Sequence, residues 1–574
     1  MSNLGQAAAH QLDLTLSIAS VDALMVYLGP SYVSPDDPEG VALSAVAQLV
    51  HTLNEDLGDS LIEQVPAFSS LFIQYDTQQL SLGELQRAIF KAAEGWRSTD
   101  ERALGLGASK VWDVPVCYEL SVAPDLEEFA QTLNLSPQAV IELHSQGDYR
   151  VGAIGFSPGF AYITGLNPAL QLPRKATPRT SVPAGSLAVA QAYTAIYPQA
   201  TPGGWWLLGQ TPTPFGLAQA KVGDRVRFTP MSHEQLLTAA AAALDEDTSS
   251  KSTVSEVEGL VSSTGKVEVL EAGAMVMVQD LGRRGVQHTG YSQGGVLDLH
   301  AAHWANYLLG NHQDAALLEV ALSPLKLRFL APTRIALAGA EVGATLAGQP
   351  CKNWASHEVK AGDELCLGWP RQGLRAYVAL LDGFEQPKHL GSCSHVAREA
   401  NSCVSAGDTL FYASSSNDNA STCWQVPARF QRHYLTPKQQ QAALTLRLVV
   451  GYQGGELSEA QWQAIEQNEY STSHQSDRMG SRLQGPKIEL KGEGLASEAI
   501  ALGAVQIPPD GQPIVLLNDR QTLGGYPKLG SVLPMDLARL AQAVPSVKVR
   551  FQRLTLAQAQ AATAEFNQFF YALT

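Results

Sequence analysis

Short apolar segments that alternate with polar residues recur along this 574-residue chain, and turn residues separate them. Examples are SLFIQYD (Ser70 to Asp76), GDRVRF (Gly223 to Phe228) and SVKVRF (Ser546 to Phe551). A two-residue period is typical of strands with one buried face. With 49 glycines and 31 prolines to break the chain between them, these segments predict a mainly β protein with a few helices.

Three segments have helical periodicity instead. The second begins with Ser136 as a plausible N-cap and Pro137 at the first helical position, and Gly310 is placed to end the third. The predicted helices are DLEEFAQTLN (Asp125 to Asn134), SPQAVIELHSQG (Ser136 to Gly147) and LDLHAAHWANYLLGN (Leu297 to Asn311).

A change of composition divides the chain. Between about Met231 and Lys266 it is rich in Ala, Ser, Thr, Asp and Glu and contains few large apolar residues, which is typical of a linker after a helical end. Because the chain is too long for one core, we expect separate domains over residues 10–232 and 266–560, with a linker at 233–265.

The two halves contain similar late segments. In the first, Arg179 precedes VPAGSLAVA and then TPGGWW; in the second, Arg478 and Arg482 precede GAVQIPPDGQP and then TLGGYP. This shared order suggests two related domains, although short Gly-rich matches also arise by chance.

Charge and composition exclude several classes of function. The formal charge of −16 disfavours nonspecific binding to nucleic acid or anionic membranes. No apolar run approaches the roughly 20 residues that span a bilayer, and the N-terminus lacks a signal-peptide pattern, so we expect a cytoplasmic protein. The six cysteines show no CxxC spacing, and there is no P-loop, HExxH or GxSxG motif.

The stretch GFSPGFAYITGL, Gly155 to Leu166, is too rich in glycine, proline and aromatic residues for an ordinary strand or helix and is interpreted as a loop. PRKATPR follows it and supplies Arg174 and Arg179. Aromatic walls beside two guanidinium groups suit a planar or anionic small molecule. Alternatively, Phe156, Phe160 and Tyr162 plug a barrel end and the two arginines are solvated.

A second cluster, QDLGRRGVQHTGYSQGGVLD (Gln279 to Asp298), leads into a predicted helix. Glycine-rich, charged segments at helix N-termini bind anions. The alternative is a structural turn in which Asp280 and Arg283 pair with each other. His300 and His303 follow at a spacing that could share a metal, but no third ligand is apparent, and no metal site is predicted.

Two further features are candidates for chemistry. Arg478 and Arg482 in SDRMGSRLQGP could face a common anion pocket if the segment is looped, or form a solvated face if it is an exposed helix. His144, at the end of a predicted helix just before the Gly155 loop, is the candidate general base of the first half, with a helix C-cap as its alternative role.

Together these motifs resemble a known family. GFSPGFAYITGL, PRKATPRTSVPAGSLAVAQAYTAIYP and TPGGWWLLGQTP resemble the B component of the bacterial three-component 5-oxoprolinase, once called allophanate hydrolase subunit 1 and similar to the kinase inhibitor KipI. QDLGRRGVQHTGYSQGGVLD, HWANYLLGN, LLEVALSPLKLRF, SDRMGSRLQGP and GAVQIPPDGQPIVLLNDRQTLGGYPKLGSV resemble its companion, the C component or KipA. The tandem pair is similar to the carboxyltransferase domain of urea carboxylase.

The resemblance implies two cyclophilin-like β-barrel modules in tandem, with a smaller α+β portion at the start of the first, and three possible functions. The first is a fused B–C component that, with a separate A component, cleaves 5-oxo-L-proline to L-glutamate at the expense of ATP and Mg²⁺. The second is a carboxyltransferase that uses biotin on a partner and a urea-like or amide acceptor. The third is a non-enzymatic kinase-regulating protein. We place the first ahead because the chain has no biotinylation site and its polar clusters suggest chemistry.

For the first function we expect Asp280 or Asp298 to assist proton transfer or a metal–nucleotide complex, with His144 as the candidate base. The other expected residues are those that bind substrate or an anionic group: Phe156, Phe160, Arg174, Arg179, Gly203, Gly204, Trp205, Gln279, Arg283, Arg478, Arg482, Gln512 and Tyr526.

Overall fold

A computed structural model describes residues 13–29, 40–94, 110–212, 217–250, 264–399, 403–413, 423–434, 438–440, 442–490 and 495–571. The mainly β class predicted from the sequence is confirmed. Within these residues, no helix has the length and apolar character needed to cross a membrane.

The first unit is a four-stranded antiparallel sheet with two helices on one face. Its elements are β1 (Leu14–Ser20), β2 (Ala23–Leu28), α1 (Gly40–Leu57), β3 (Leu61–Ala67), β4 (Ser70–Tyr75) and α2 (Leu82–Glu94), in the strand order β1-β2-β4-β3. In β4, Leu71 and Ile73 face the helices, whereas Phe72 packs into a second core. The sequence predicts one buried face for this strand; the structure buries both.

The next unit is a closed barrel. Strand β3 pairs with β6, and the ring of strands runs β6-β13-β5-β12-β9-β10-β7 and closes through β7 and β6. The elements are β5 (Val111–Cys117), α3 (Leu126–Thr132), α4 (Pro137–Ser145), β6 (Tyr149–Ile154), β7 (Ala161–Thr164), β8 (Arg179–Val182), β9 (Ser186–Ala190), β10 (Tyr193–Ile196), β11 (Thr201–Gly203), β12 (Trp206–Gln210), β13 (Arg225–Met231) and α5 (His233–Ser250).

Local sequence signals explain several boundaries in this barrel. The Ser136 side chain accepts a hydrogen bond from the Ala139 amide, and Pro137 occupies the first turn of α4, as predicted. The predicted loop at 155–166 is a loop only up to Phe160, because the next four residues form β7 and are buried in the barrel wall. Helix α5 occupies the first part of the segment interpreted as a linker.

Residues 264–413 form two sheets that pack around one apolar core. Their strand orders are β20-β19-β22-β17-β14-β25-β24 and β15-β16-β23-β18-β21. The elements are β14 (Thr264–Ala272), β15 (Val276–Gln279), α6 (Leu299–Tyr307), β16 (Leu317–Ala321), β17 (Leu325–Phe329), β18 (Thr333–Glu341), β19 (Thr345–Leu346), β20 (Gln349–Pro350), β21 (Ala355–Val359), β22 (Glu364–Leu367), β23 (Gln372–Leu380), β24 (Phe384–Glu385) and β25 (Thr409–Ala413).

The second barrel follows this two-sheet unit and occupies only the last part of the predicted 266–560 domain. Its ring of strands is β26-β33-β30-β31-β28-β27-β34. The elements are β26 (Leu444–Val450), α7 (Glu459–Gln467), β27 (Tyr470–Thr472), β28 (Gly480–Gln484), β29 (Glu498–Ala499), β30 (Ala504–Gln506), β31 (Ile514–Leu516), β32 (Leu523–Gly524), β33 (Lys528–Val532), α8 (Pro534–Leu540), β34 (Lys548–Leu554) and α9 (Leu556–Tyr571).

The two barrels have the same topology, which supports the relationship suggested by the repeated segments. Each ring contains one parallel pair, formed by its first and last strands, β5 with β13 and β26 with β34. Each barrel also carries a separate two-stranded sheet, β8 with β11 and β29 with β32, in which TPGG and TLGG supply the second strand. The glycine is paired with Arg179 in the first of these sheets and with Glu498 in the second. The counterpart of Arg179 is therefore Glu498, not Arg478 or Arg482.

One apolar core joins the halves. Phe160, Tyr162 and Trp205 from the first barrel pack in the same cluster as Tyr452 and Leu523 from the second. Met25, Phe72 and other residues of the first sheet complete it. Because side chains from both halves bury each other, the halves form a continuous structure at this point.

Candidate functional site

Three of the sequence motifs meet where the halves join. A side chain at Gly155 would collide with Leu523 and Thr522 of TLGG, and one at Gly290 would lie 2.6 Å from the carbonyl oxygen of Ser157. The GFSPGF loop is therefore held closely between the QDLGRRGVQHTG segment and the β29–β32 sheet of the second barrel. We call the surrounding set of Phe156, Phe160, Tyr162, Arg174, Trp205, Arg398 and Ser497 the junction site.

Phe160 is the centre of its aromatic wall. Its ring makes edge contacts with those of Phe156, Tyr162, Tyr197 and Trp205, with centroid separations of 5.2, 5.0, 5.4 and 5.9 Å. Edge-to-face pairs of this kind fix ring orientation in addition to burying apolar area. The wall predicted from Phe156, Phe160 and Trp205 is thus a single packed unit.

The backbone of Phe156 is in a strained conformation. Its φ of 70° lies in the left-handed region, which costs a non-glycine residue roughly 1–3 kcal/mol. The carbonyl oxygen of Phe156 accepts a hydrogen bond from the Arg398 guanidinium, whose carbon lies 5.7 Å from the Phe156 ring centroid. Arg398 therefore orients the loop as well as bringing a positive charge to it.

The guanidinium groups beside the wall retain unused hydrogen-bond donors. The Arg174 side chain is exposed, and its guanidinium lies 6.0 Å from the Trp205 ring. Arg179 bonds Asp125 at 2.6 Å, yet its Nη1, like Nη1 of Arg398, is buried without an acceptor. Unused guanidinium donors next to an aromatic wall suit a carboxylate or phosphate group.

Tyr162 supplies a neutral hydroxyl at the same place. Burial raises the pKa of Tyr162, and this outweighs the opposite effects of Arg174, of a hydrogen bond with the Ser497 side chain and of Arg398. Burial likewise raises the pKa of Tyr197 to about 12. Both phenols keep their protons at neutral pH and can donate hydrogen bonds to an anionic group.

A buried charge network adjoins Ser497. Lys528 Nζ donates to Glu498 Oε1 at 2.7 Å, and the Tyr27 hydroxyl donates to Glu498 Oε2 at 2.7 Å. Burial lowers the pKa of Lys528 despite its carboxylate partner, and the pKa of Tyr27 is raised chiefly by burial and then by Glu498. This network ties the first sheet to the second barrel behind the junction site.

The structure does not support His144 as a general base. Its ring is fully buried in the first barrel, with Nδ1 2.8 Å from the Tyr118 hydroxyl and Nε2 3.1 Å from the Thr194 hydroxyl. Burial lowers its pKa to about 3. Both nitrogens are occupied by core partners, so His144 has neither the proposed capping role nor access to a substrate.

Asp280 and Arg283 do not pair with each other. Asp280 accepts hydrogen bonds from the Ser392 and Ser394 hydroxyls and from the Cys393 and Gly282 amides, and these bonds hold its pKa below the ordinary value. Arg283 is buried against Glu399. Gln279 is also buried, donates to the His395 carbonyl and accepts from the Gly295 amide, so this segment is a tightly bonded structural turn.

Asp298 is buried and caps α6. Its Oδ1 accepts from the Ala301 amide, and its Oδ2 accepts from the hydroxyl of Tyr434 at 2.6 Å and from Gln542 at 3.0 Å. A carboxylate with these partners is part of the scaffold, and nothing places it at the junction site.

Arg478 and Arg482 point to different environments. Arg478 is buried and forms two bonds of 2.9 Å with Asp519 and one of 2.6 Å with Glu319, whereas Arg482 is exposed on β28. They share no pocket because only one of them points into the protein. Gln512 bonds the backbone of Gly485, and Tyr526 is exposed.

Of the predicted site residues, Phe156, Phe160, Arg174 and Trp205 therefore lie together. Arg179 and Gly203 are paired in the β8–β11 sheet, and Gly204 follows it directly. Sequence reasoning missed Arg398, Ser497, Glu498, Lys528 and Tyr27. Lys528 had a local signal, since it follows the TLGGYP motif directly. Arg398 had none, because its contact with Phe156 spans 242 positions.

Comparisons with known proteins agree with the two-part organisation. Residues 14–221 match the family model "Carboxyltransferase domain, subdomain C and D", and residues 289–553 match "Carboxyltransferase domain, subdomain A and B". The chain is 32% identical over 307 residues to the C component of 5-oxoprolinase from Haemophilus influenzae, an alignment that covers 51% of this chain and 93% of that protein.

One further relative resembles the B-type part of the chain, and one solved structure resembles the fold over most of its length. The chain is 37% identical over 185 residues to the B component of 5-oxoprolinase from Bacillus subtilis, covering 30% of this chain and 77% of that protein. The crystal structure of TTHA0988 aligns with a TM-score of 0.74 and 32% identity, covering 92% of this chain and 99% of that one.

The contrast between Arg478 and Arg482 gives a stability test. Replacing Arg478 with Met leaves the buried Asp519 without its arginine and leaves Glu319 with only Arg375, at 3.4 Å, so we expect a loss of about 3–5 kcal/mol, measured by urea denaturation. The matched control Arg482→Met, on the exposed side of the same segment, should change stability by less than about 0.5 kcal/mol. Equal effects of the two substitutions would contradict the conclusion that Arg478 is buried in an ion pair and Arg482 is exposed.

The buried imidazole of His144 gives a test of pH dependence. The unfolded imidazole takes up a proton below its ordinary pKa of 6.5 but the folded one only near pH 3, so its contribution to stability is complete above pH 6.5 and declines as the pH falls toward 3. We expect His144→Gln to flatten the fall in melting temperature between pH 6.5 and 4. The exposed His51→Gln serves as the control, and an unchanged slope in the His144 variant would refute this role.

Proposed function

Because the chain belongs to the family of the B and C components of 5-oxoprolinase, with both types of component on one polypeptide, we propose that it is the fused B–C component of an ATP-dependent 5-oxoprolinase. In this proposal a separate A component completes an enzyme that cleaves 5-oxo-L-proline to L-glutamate. The observation that carries the proposal is that two differently named components of one enzyme system match a single chain. The shared core and the junction site support it further, since both halves contribute residues to each.

The junction site has groups suited to the substrate's carboxylate. The exposed Arg174 and the unused donor of Arg398 would bind it, and the aromatic wall would pack against the flat five-membered ring. The neutral hydroxyl of Tyr162 would donate to a lactam or carboxylate oxygen. Enclosure between the two halves would orient the ring and restrict water.

Hydrolysis of an unactivated lactam is slow because amide resonance must be lost. ATP with Mg²⁺ would supply a phosphoryl group that activates the lactam carbonyl. Among the described residues, no group of three or more His, Cys, Asp and Glu side chains is arranged to hold a metal ion, and the sequence contains no P-loop. We therefore assign this chain substrate binding and orientation, and assign no nucleotide contact to it.

A carboxyltransferase is the second candidate, favoured by the two carboxyltransferase-domain matches. In that case a partner would carry biotin, and the junction site would hold a urea-like or amide acceptor. The same aromatic and cationic groups suit both ligands, so the activity assay has to distinguish the two functions.

The assembly test uses the purified chain with and without a candidate A component. We expect glutamate and ADP to be released from 5-oxo-L-proline only when both proteins are present. A streptavidin blot of proteins that copurify with the chain provides the comparison. No release, together with a biotinylated partner, would favour the carboxyltransferase; no release and no such partner would reject both enzymatic functions and leave a regulatory binding protein.

Substitutions at the junction site test substrate binding in the assembled enzyme. Loss of a charge-assisted hydrogen bond costs about 1.5–3 kcal/mol, so we expect Arg174→Gln to raise KM for 5-oxo-L-proline by roughly tenfold or more with a smaller change in kcat. Tyr162→Phe, which removes only a hydroxyl, should lower kcat/KM. The matched control is Arg227→Gln on β13, an exposed arginine near Asp113. If the Arg174 and Arg227 variants behave alike, the proposed carboxylate site is wrong.

A further inference from the structure

A cleft in the C-terminal half shares no residue with the junction site. Its volume is about 450 Å³, within the range of small-molecule sites. It lies between the ends of β18 and β23, the turn at 351–354 and the segment at 431–434. The lining residues that matter here are Glu341, Lys352, Trp354, Arg432, His433 and Tyr434.

Arg432 is the unusual residue of this cleft. Its side chain is only 21% exposed, and its guanidinium makes no hydrogen bond with any described residue. The nearest carboxylate oxygen, Asp298 Oδ1, is 3.7 Å from Nη1, which is beyond hydrogen-bonding distance. Burying Nη1 away from water without an acceptor is unfavourable.

Asp298 is not available as a closer partner. Its Oδ1 accepts from the Ala301 amide at 3.1 Å, and its Oδ2 accepts from Tyr434 and Gln542. These bonds fix the carboxylate as the cap of α6 and keep it from rotating toward Arg432. The cleft therefore has a cation whose buried Nη1 finds no acceptor among the residues that the structure describes.

The rest of the lining suits an anion with an apolar part. Lys352 adds a second positive charge, and His433 lies exposed at the edge. Glu341 is the one acidic side chain among the lining residues, and its Oε1 accepts from the Gly343 amide at 3.1 Å. Trp354 is buried, and Asn353 fixes the adjoining backbone by bonding the Gly339 carbonyl and the Trp354 amide.

We propose that this cleft is a second ligand site, which binds a small molecule bearing a carboxylate or phosphate through the guanidinium of Arg432. The planar guanidinium can bond two oxyanion oxygens at once, and Lys352 adds attraction without a fixed direction. Trp354 forms a fixed apolar side of the site. The proposal concerns binding by this chain alone, so it can be tested independently of the 5-oxoprolinase function.

The test is isothermal titration calorimetry on the full chain without an A component, with succinate and inorganic phosphate as separate probes. We expect at least one probe to bind and Arg432→Gln to weaken it by roughly tenfold or more. The preferred probe distinguishes a carboxylate ligand from a phosphate ligand. The matched control is Arg429→Gln, three residues away, where the exposed guanidinium lies over the Phe430 ring at 4.7 Å.

Melting temperatures of both arginine variants should match that of the unmodified chain, which excludes misfolding as the cause of lost binding. If Arg432→Gln does lower the melting temperature, Lys352→Gln at the edge of the cleft replaces it, and we expect a severalfold weaker affinity. Absence of binding by both probes overturns the proposal. So does binding that the Arg432 substitution, or its Lys352 replacement, leaves unchanged.

Discussion

The buried ion pairs of Arg478 hold together the parts on which the junction depends. Arg478 donates from Nε and Nη2 to Asp519 of the second barrel, from Nη1 to Glu319 of β16, and also from Nη2 to the Gly295 carbonyl. Glu319 in turn accepts from the Leu297 amide and the Tyr377 hydroxyl. Burying these charges is costly, and the paired hydrogen bonds favour this arrangement of the partners. They hold the end of the segment Gln279 to Asp298 at Gly295, and Gly290 of the same segment packs against the loop that contains Phe156.

The duplicated barrel shows how one fold can place different charges at the same position. The two-stranded sheets β8–β11 and β29–β32 occupy the same place in the two barrels, yet one carries a cation and the other an anion opposite the equivalent glycine. Arg179 bonds Asp125 within its own barrel, whereas Glu498 reaches across to Tyr27 of the first sheet. The fold determines where this residue lies. Its side chain determines whether it bonds within its own barrel, as Arg179 does, or across to the other half, as Glu498 does.

Helices and strands could be predicted because short stretches of sequence determine them. The candidate site could be predicted only in part because it depends on contacts between residues far apart in the sequence. Ser136 and Pro137 define the start of α4 by themselves, and Val226 and Phe228, like Val549 and Phe551, have the alternation of the parallel strand in each barrel. Arg478 and Arg482 have the same local signal, but the turn between them sends one into the core. Their opposite roles follow from partners far along the chain, which spacing alone does not show. His144 was misassigned for the same reason.

The core shared by the halves also matters during synthesis. Tyr162 and Trp205 emerge from the ribosome long before Tyr452 and Leu523, which cover part of the same cluster. A nascent chain that stops after the first barrel would leave this aromatic surface in contact with water, where chaperones and proteases recognise exposed apolar patches. Completion of the second barrel is thus what conceals the surface. Because one polypeptide contains both halves, each first barrel is synthesised together with the second barrel that buries its aromatic surface.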